Sequence, residues 1–571
     1  MTIPRTQYSP GGPSPQDYGL PAEGEIAAWA AEWFPEYQGG ESPPSLQPVD
    51  LLRKSYGLPL PPSAGAPSGG APPSPGIRYD YQTPAPATPP EVPGTVEPVA
   101  AWYGTEQSIA EDIFSASPAT PPAVPGVGFS PRVIPLGAEL PPAVPAAAAT
   151  ADVVPAARSA DPSLSRFVGT KSLAEIRGDF PILAEKVNGH DLVWLDNAAT
   201  TQKPQAVIDR LSYFYGHENS NVHRGVHELA DRSTNAYEEA RLKIARFIGA
   251  PGEDTIVFVR GTTEGINLTA QSYVKPLLGP GDEIILTLLE HHANIVPWQI
   301  IAEETGARIR VAPIDQSGQI ILSEYERLFS GRTRFVSIAQ VSNALGTITP
   351  AAEMIQIAHA HGVPILVDGA QSISHIPVNV SALDADFFVF SGHKIFGPTG
   401  IGALYGKSAL LEAARPYQGG GNMIADVTFE RTLYQKAPAK FEAGTGNIAD
   451  AVGLGAALDY VSAIGIENIA AWEHELIQYG IQELTKIPGL HIVGRAAQKT
   501  SVLSFVLDGH SNEEVGKFLN RKGIAVRAGH HCAQPVHRFY GLEGTVRPSL
   551  AFYNSFGDID QLAAALREIT G

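Results

Sequence analysis

From Lys171 onward the apolar positions follow two alternating periods. Short strand-like runs occur at Val193–Leu195, Thr255–Val259, Glu283–Thr287, Arg308–Ile314, Phe335–Ala339, Pro364–Val367, Phe387–Ser391 and Gly402–Tyr405. Helical patterns fill most of the gaps, at Pro204–Tyr215, Ser233–Ile248, Ile266–Tyr273, Val296–Thr305 and Ala352–His361, the first opening on a proline suited to a helix start. This alternation predicts an α/β fold with a largely parallel sheet covered by helices. After about residue 435 a smaller α+β portion follows, with helices near 448–486 and 511–522 and strands near 501–507 and 524–527.

The first part of the chain has no such pattern. Residues 1–170 hold 33 of the 49 prolines and a single lysine, Lys54. Long Pro/Ala/Gly/Ser runs lack backbone donors and periodic apolar faces, so they bury too little surface to offset chain entropy. Residues 1–165 are therefore expected to be mostly disordered. Short motifs interrupt them. Glu25–Phe34 sets Ile26, Trp29, Ala30 and Trp33 on one helical stripe, and Glu106–Phe114 repeats the idea with Ile109 and Ile113. Such motifs between stiff linkers read as docking motifs for another protein; the plainer alternative is that they dock on the chain's own core.

Charge and cysteine content narrow the function. The 571 residues carry a formal net charge of −19, the opposite of what a nucleic-acid or anionic-membrane binder needs. One cysteine excludes an internal disulfide framework and any multi-cysteine metal or iron–sulfur site. No stretch reaches the length of a spanning helix and the start has no signal-peptide core, so the expected location is the cytoplasm.

Candidate chemistry sits at the strand ends. Lys394, in Ser391-Gly-His-Lys394, follows one apolar strand, and Asp368, 26 residues earlier, ends another. A Schiff-base lysine with a strand-end aspartate is the arrangement that pyridoxal phosphate requires, because the aspartate keeps the pyridine nitrogen protonated. Arg260-Gly-Thr-Thr-Glu264 lies between a strand and a helix, where backbone N–H groups and the hydroxyls of Thr262 and Thr263 can receive a phosphate. Ser391 and His393 are placed to add donors. His291 follows a strand and can stack on the pyridine ring; the metal-site reading of the His291–His292 pair lacks a third ligand nearby, and no metal is expected. Cys532 lies in a polar loop with Arg527, His530 and His531, where cations favour the thiolate nucleophile. A buried, inert cysteine is the bland alternative. Arg547 can hold a substrate carboxylate bidentately.

With these residues in place, the chain from about 171 to 571 resembles the SufS-like (group II) cysteine desulfurases of the fold-type I aminotransferase superfamily. The matching stretches include LDNAATTQKP (195–204), NVHRGVH (221–227), RGTTEGINL (260–268), EHHANIVPWQ (290–299), VSNALGTI (341–348), VDGAQ (367–371), FSGHKIFGPTGIGALYG (390–406), KFEAGTGNIA (440–449) and AVRAGHHCAQP (525–535). The resemblance implies a pyridoxal-phosphate fold-type I large domain with a mainly parallel seven-stranded sheet over 166–434, and a small C-terminal α+β domain over 435–571 carrying the cysteine loop. It implies a homodimer with shared sites, pyridoxal phosphate on Lys394, Asp368 and Gln371 at the ring, His291 above it, Asn343 near the substrate and Arg547 on its carboxylate. Cys532 would carry the persulfide made from L-cysteine, for delivery to an acceptor protein or small thiol. Thr445 would line the partner subunit's cofactor pocket. Two positions depart from the family pattern, Gly446 where proline is usual and Pro548 where a small residue is common; both touch loop geometry rather than key side chains.

The Pro-rich extension resembles that of cargo cysteine desulfurases of family 2 encapsulin nanocompartments, which implies docking to an encapsulin shell protein through residues 1–165. Two other readings stay open. One is a selenocysteine lyase or another pyridoxal-phosphate β-lyase in which Cys532 is dispensable. The other is a shell-associated scaffold with a vestigial site.

Overall fold

The computed structural model describes residues 161–223 and 225–570; the expected helices at Glu25–Phe34 and Glu106–Phe114 lie outside them. The described residues belong to one compact unit. We number its principal strands in chain order: β1 (Val193–Trp194), β2 (Ile256–Val259), β3 (Glu283–Thr287), β4 (Arg308–Ala312), β5 (Thr333–Ala339), β6 (Ile365–Asp368), β7 (Phe387–Ser391), β8 (Gly402–Gly406), β9 (Leu490–Ile492), β10 (Phe505–Leu507), β11 (Ile524–Ala525), β12 (Arg527–Gly529) and β13 (Thr545–Arg547).

Strands β2 to β8 form a seven-stranded sheet in the order β2-β8-β7-β6-β5-β3-β4. Only β8 runs against its neighbours. Strands β2, β6, β7 and β8 are buried along their whole length, because helices cover both faces; this is why they read as unbroken apolar runs. All parallel strands therefore end on one edge, the usual place for a site in such sheets. Helix Ile448–Ile464 is apolar almost all round and packs against helices Gln205–His217 and Glu228–Phe247. No single described helix is long and apolar enough to cross a membrane.

A second, antiparallel sheet has the order β9-β10-β13-β12. It corrects the expected strand near 524–527. Ile524–Ala525 pairs in parallel with β1, and Arg527–Gly529 pairs with β13, so the chain changes partner at Val526. The run at Val193 correspondingly lies outside the large sheet, because two residues bonded to β11 anchor it to the C-terminal portion. The expected helix Ile266–Tyr273 begins at Thr262 and continues from Thr269 to Val274 with π-type bonding. The helix expected from Ser233 starts at Glu228, where the His227 ring accepts the Ala230 N–H. The 448–486 pattern is two helices broken at Gly465, whose φ of 91° a side chain would strain. Asp161 and Ser163, on the near side of the expected boundary at 165, accept the N–H groups of Gly557 and Phe556, so this stretch is tied to the start of the last helix.

Candidate active site

The C-terminal edge of the large sheet opens into a cavity of about 240 Å³. Each wall comes from a strand end. β6 ends on Asp368, β7 on Ser391 and β5 on Ala339, while Thr262 follows β2 and His291 follows β3. The antiparallel sheet closes the other side with Arg527, Arg547 and the Cys532 loop. Residues as far apart in sequence as Ala198 and Arg547 thus share one hollow.

Asp368 is 5% exposed. Burial pushes its carboxyl up to about 6, against the Ala370 N–H it accepts and nearby Lys394, which both pull it down. The chain turns away immediately afterwards at Gly369, where a Cβ would lie 2.0 Å from the Phe388 ring. Loss of water around the Lys394 ammonium lowers it to about 8, despite the opposing pull of Asp368. Its Nζ donates to Ala198 O at 3.3 Å. The loop that carries it is pinned two residues on by Phe396, whose φ is 62°, whose N–H donates to Thr201 Oγ1 and whose ring meets Phe552 edge-on at 4.7 Å.

His291 is lowered to about 3, by burial first and by Lys394 second, so its ring is neutral at physiological pH. Its Nδ1 accepts the Ala293 N–H at 3.0 Å, which places the ring proton on Nε2. His393 is lowered to about 4, again chiefly by burial. Gln371 donates to Ala198 O at 2.8 Å, and Asn343 donates to His531 O at 2.7 Å, which ties the cysteine loop to the large sheet.

The loop itself is held in an uncommon shape. His531 and Cys532 have φ of 51° and 54°, two consecutive left-handed residues with side chains. Cys532 N–H donates to His530 Nδ1, and Cys532 O accepts from the His292 N–H at 2.8 Å. The half-buried Cys532 side chain lines the cavity.

One expectation needs correction. The Thr262 N–H is not available to a ligand, because it donates to Ser391 Oγ at 2.9 Å, and the Thr262 hydroxyl bonds the same atom. This corner therefore presents the joined hydroxyls of Thr262 and Ser391, with Thr263 exposed beside them. Gly261, with φ of 149°, makes that corner possible, since a Cβ there would come 3.0 Å from Ser391 Oγ. Thr445 is exposed and stands outside this cavity, donating to Asn221 Oδ1 at 3.3 Å. The remaining candidate residues, including Arg527 on the rim, meet in the cavity.

Sequence reasoning passed over Asp196 and Ala198 as site residues and named His531 only as a neighbour of the thiol. All three sit inside motifs already singled out, LDNAATTQKP and AVRAGHHCAQP, but no spacing rule marks them. Asp196 accepts hydrogen bonds from both Arg527 and Arg547. Among the described residues, three buried polar atoms of the site have no partner within the chain, Arg547 Nε, Asn343 Oδ1 and His531 Nδ1; the first two are a donor and an acceptor fit for a polar ligand. The donor set as a whole fits pyridoxal phosphate. It offers an amine for the aldehyde carbon, a buried carboxylate for the ring N–H and hydroxyls for the phosphate.

Residues 193–562 match the Aminotransferase class-V family model. A cysteine desulfurase of Synechococcus elongatus is 65% identical over 395 residues, 69% of this chain and 63% of that protein. One from Pectobacterium atrosepticum is 50% identical over 398 residues, 70% of this chain and 98% of that protein. The crystal structure of the cysteine desulfurase CsdA from Escherichia coli superposes with a TM-score of 0.66 at 42% identity, covering 70% of this chain and 99% of that one. The chain belongs to the aminotransferase class-V family, in the branch of the cysteine desulfurases. It spans less than two thirds of the length of the Synechococcus relative and 58% of a probable cysteine desulfurase of Mycolicibacterium paratuberculosis.

Proposed function

We propose that this chain is a pyridoxal-phosphate-dependent cysteine desulfurase: L-cysteine and the Cys532 thiol give L-alanine and a Cys532 persulfide. The observation that carries the reading is the meeting of Lys394, Asp368, Arg547 and Cys532 in one cavity. Bound there, the cofactor supplies an electron sink for the substrate's Cα.

The chain's own residues do the rest. Lys394 holds the cofactor and, with its amine pulled to about 8, sheds and takes a proton near neutral pH, as a base at Cα must. Asp368 receives the ring N–H, and Gln371 and His291 flank the ring. Ser391, His393, Thr262 and Thr263 hold the phosphate. Arg547 binds the substrate carboxylate through its unpartnered Nε edge, with Asn343 beside it. The Cys532 thiolate attacks the substrate sulfur, forming the S–S bond of the persulfide as the S–Cβ bond breaks, and the pair left on Cβ takes a proton to give the methyl group of alanine. His291, neutral with its proton on Nε2, donates a hydrogen bond to the departing or arriving sulfur.

The finer reading is a SufS-like enzyme, working as a homodimer in the cytoplasm, that feeds sulfur to an acceptor for iron–sulfur cluster assembly or for storage. In the dimer Thr445 completes the partner's site; its exposure outside its own chain's cavity supports this. Residues 1–160 dock the enzyme inside an encapsulin shell, a reading supported by their proline-separated apolar motifs. Incubation of the purified protein with L-cysteine tests the central claim. Alanine should accumulate and the Cys532 peptide should gain one sulfur atom; a protein that makes neither would sink it.

A further inference from the structure

Arg527 and Arg547 are register partners across β12 and β13, so two cations face each other on one side of an antiparallel pair. Such a pairing is unfavourable by itself. Asp196, just after β1, resolves it, and it does so unequally. Its Oδ2 accepts from both Nε and Nη2 of Arg527, at 3.2 and 3.0 Å. Its Oδ1 accepts only Nη2 of Arg547, at 3.3 Å. Arg547 gives Nη1 to Asn343 O at 3.0 Å and keeps Nε, buried and without a partner. Asp196 is absent from the cavity wall, with its side chain 13% exposed.

We propose that Asp196 is a positioning residue that assigns carboxylate recognition to Arg547 by tying up the guanidinium edge of Arg527. The proposal rests on the desulfurase reading, in which the ligand is an amino acid. The Nε–Nη2 edge of a guanidinium, like its Nη1–Nη2 end, can receive a carboxylate in parallel, two-pronged fashion, and the Nε–Nη2 edge is the one Asp196 addresses. For Arg527 that edge, Nε with Nη2, is already filled by an internal carboxylate. For Arg547 the same edge is filled only at Nη2, and a ligand carboxylate arriving at Nε has to share the arginine with Asp196. Arg527, 51% exposed at its side chain, would otherwise be the more accessible competitor at the rim. Binding there would draw the substrate's carboxylate towards solvent and its Cα away from Lys394. Asp196 thus sets the pose without touching the substrate.

The holoenzyme tests this as wild type, Asp196→Asn, Arg547→Ala and the double variant. L-alanine and L-alaninamide, which differ only in the carboxylate, are titrated against the cofactor's visible absorbance. Arg547→Ala should weaken L-alanine roughly 30-fold with Asp196 present, the loss of one charge-assisted contact. In the Asp196→Asn background the same change should cost roughly fivefold or less, because the freed Arg527 takes over. L-alaninamide should respond alike in both backgrounds. Equal losses of L-alanine affinity in the two backgrounds would overturn the assignment. Should the neutral variant fail to fold, Asp196→Glu keeps the charge, and a collapsed Arg547→Ala penalty there would overturn it equally.

A second measurement needs no amino-acid binding. Phenylglyoxal should modify Arg527, mapped by mass spectrometry, several times faster in Asp196→Asn than in wild type, and equal rates refute the tie. A wild-type holoenzyme that bound neither ligand would sink the desulfurase reading itself, while the Arg527 rates would still decide the role of Asp196.

Discussion

Replacing Asp368 by asparagine should shift the stability of the cofactor-free and cofactor-loaded protein in opposite directions. In the free protein the carboxyl at the end of β6 is pushed up from 3.8 to about 6, by burial above all. A folded-state pKa above the unfolded value means that the fold prefers the protonated group. The stability contribution is complete below pH ~4, is lost as pH rises through about 6, and stays lost above that. A rise of about two units corresponds to ~3 kcal/mol at neutral pH, falling to roughly half of that by pH 5. Asparagine keeps an oxygen to accept the Ala370 N–H and a similar volume, and discards only the charge. Part of the gain is returned, because Lys394 loses the anion that supports its ammonium. The net gain expected for the cofactor-free variant is ~1–3 kcal/mol at neutral pH. In the loaded protein the order reverses, since the protonated ring nitrogen partners a carboxylate better than an amide. Denaturant unfolding of both proteins, stripped and reloaded, at pH 5 and at neutral pH reads the whole pattern. A cofactor-free variant that is less stable than wild type at neutral pH, or a difference indifferent to pH, would refute the reasoning.

Four further outcomes are expected. Lys394→Ala should lose the visible cofactor absorbance and all turnover while keeping a wild-type far-UV spectrum, because the side chain contributes one long hydrogen bond to Ala198 and little packing; alanine formation at the wild-type rate would remove Lys394 from the mechanism. Cys532→Ser should bind L-cysteine without forming persulfide, and because no second cysteine exists, normal cysteine turnover by it would mean a different reaction, such as the β-lyase alternative. Arg547→Ala should raise the KM for L-cysteine roughly 10- to 100-fold through loss of a charge-assisted bond worth ~1.5–3 kcal/mol, with some loss of stability as Asn343 O is left without its donor; an unchanged KM would move the carboxylate to Arg527. Deleting residues 1–160, and so sparing Asp161 and Ser163, should leave desulfurase activity near normal, and Trp29→Ala with Trp33→Ala in the full chain should end co-purification with the shell protein; reduced activity on deletion would favour docking on the chain's own core instead.

Periodicity determined what depends on neighbours in sequence. Glu283–Thr287, Phe387–Ser391 and Val296–Thr305 have the bounds that their apolar pattern predicts, because a run buried on both faces or a stripe one face wide writes its burial into the sequence itself. Lys394, Asp368 and Cys532 were legible for a related reason: rare side chains at strand ends, or in a polar loop, are hard to explain by packing. Three-residue strands such as Thr545–Arg547 and Leu490–Ile492 carry no period at all, and they exist because β10 and β12 offer them partners. Only tertiary structure could decide that Val193–Trp194 leaves the large sheet for β11, that Ser391 takes the Thr262 N–H, and that Asp196 lies between two arginines over 330 residues downstream. Hydrogen bonds and charge pairs across such distances leave no pattern along the chain, since the geometry that makes them favourable forms only when the two sheets have packed.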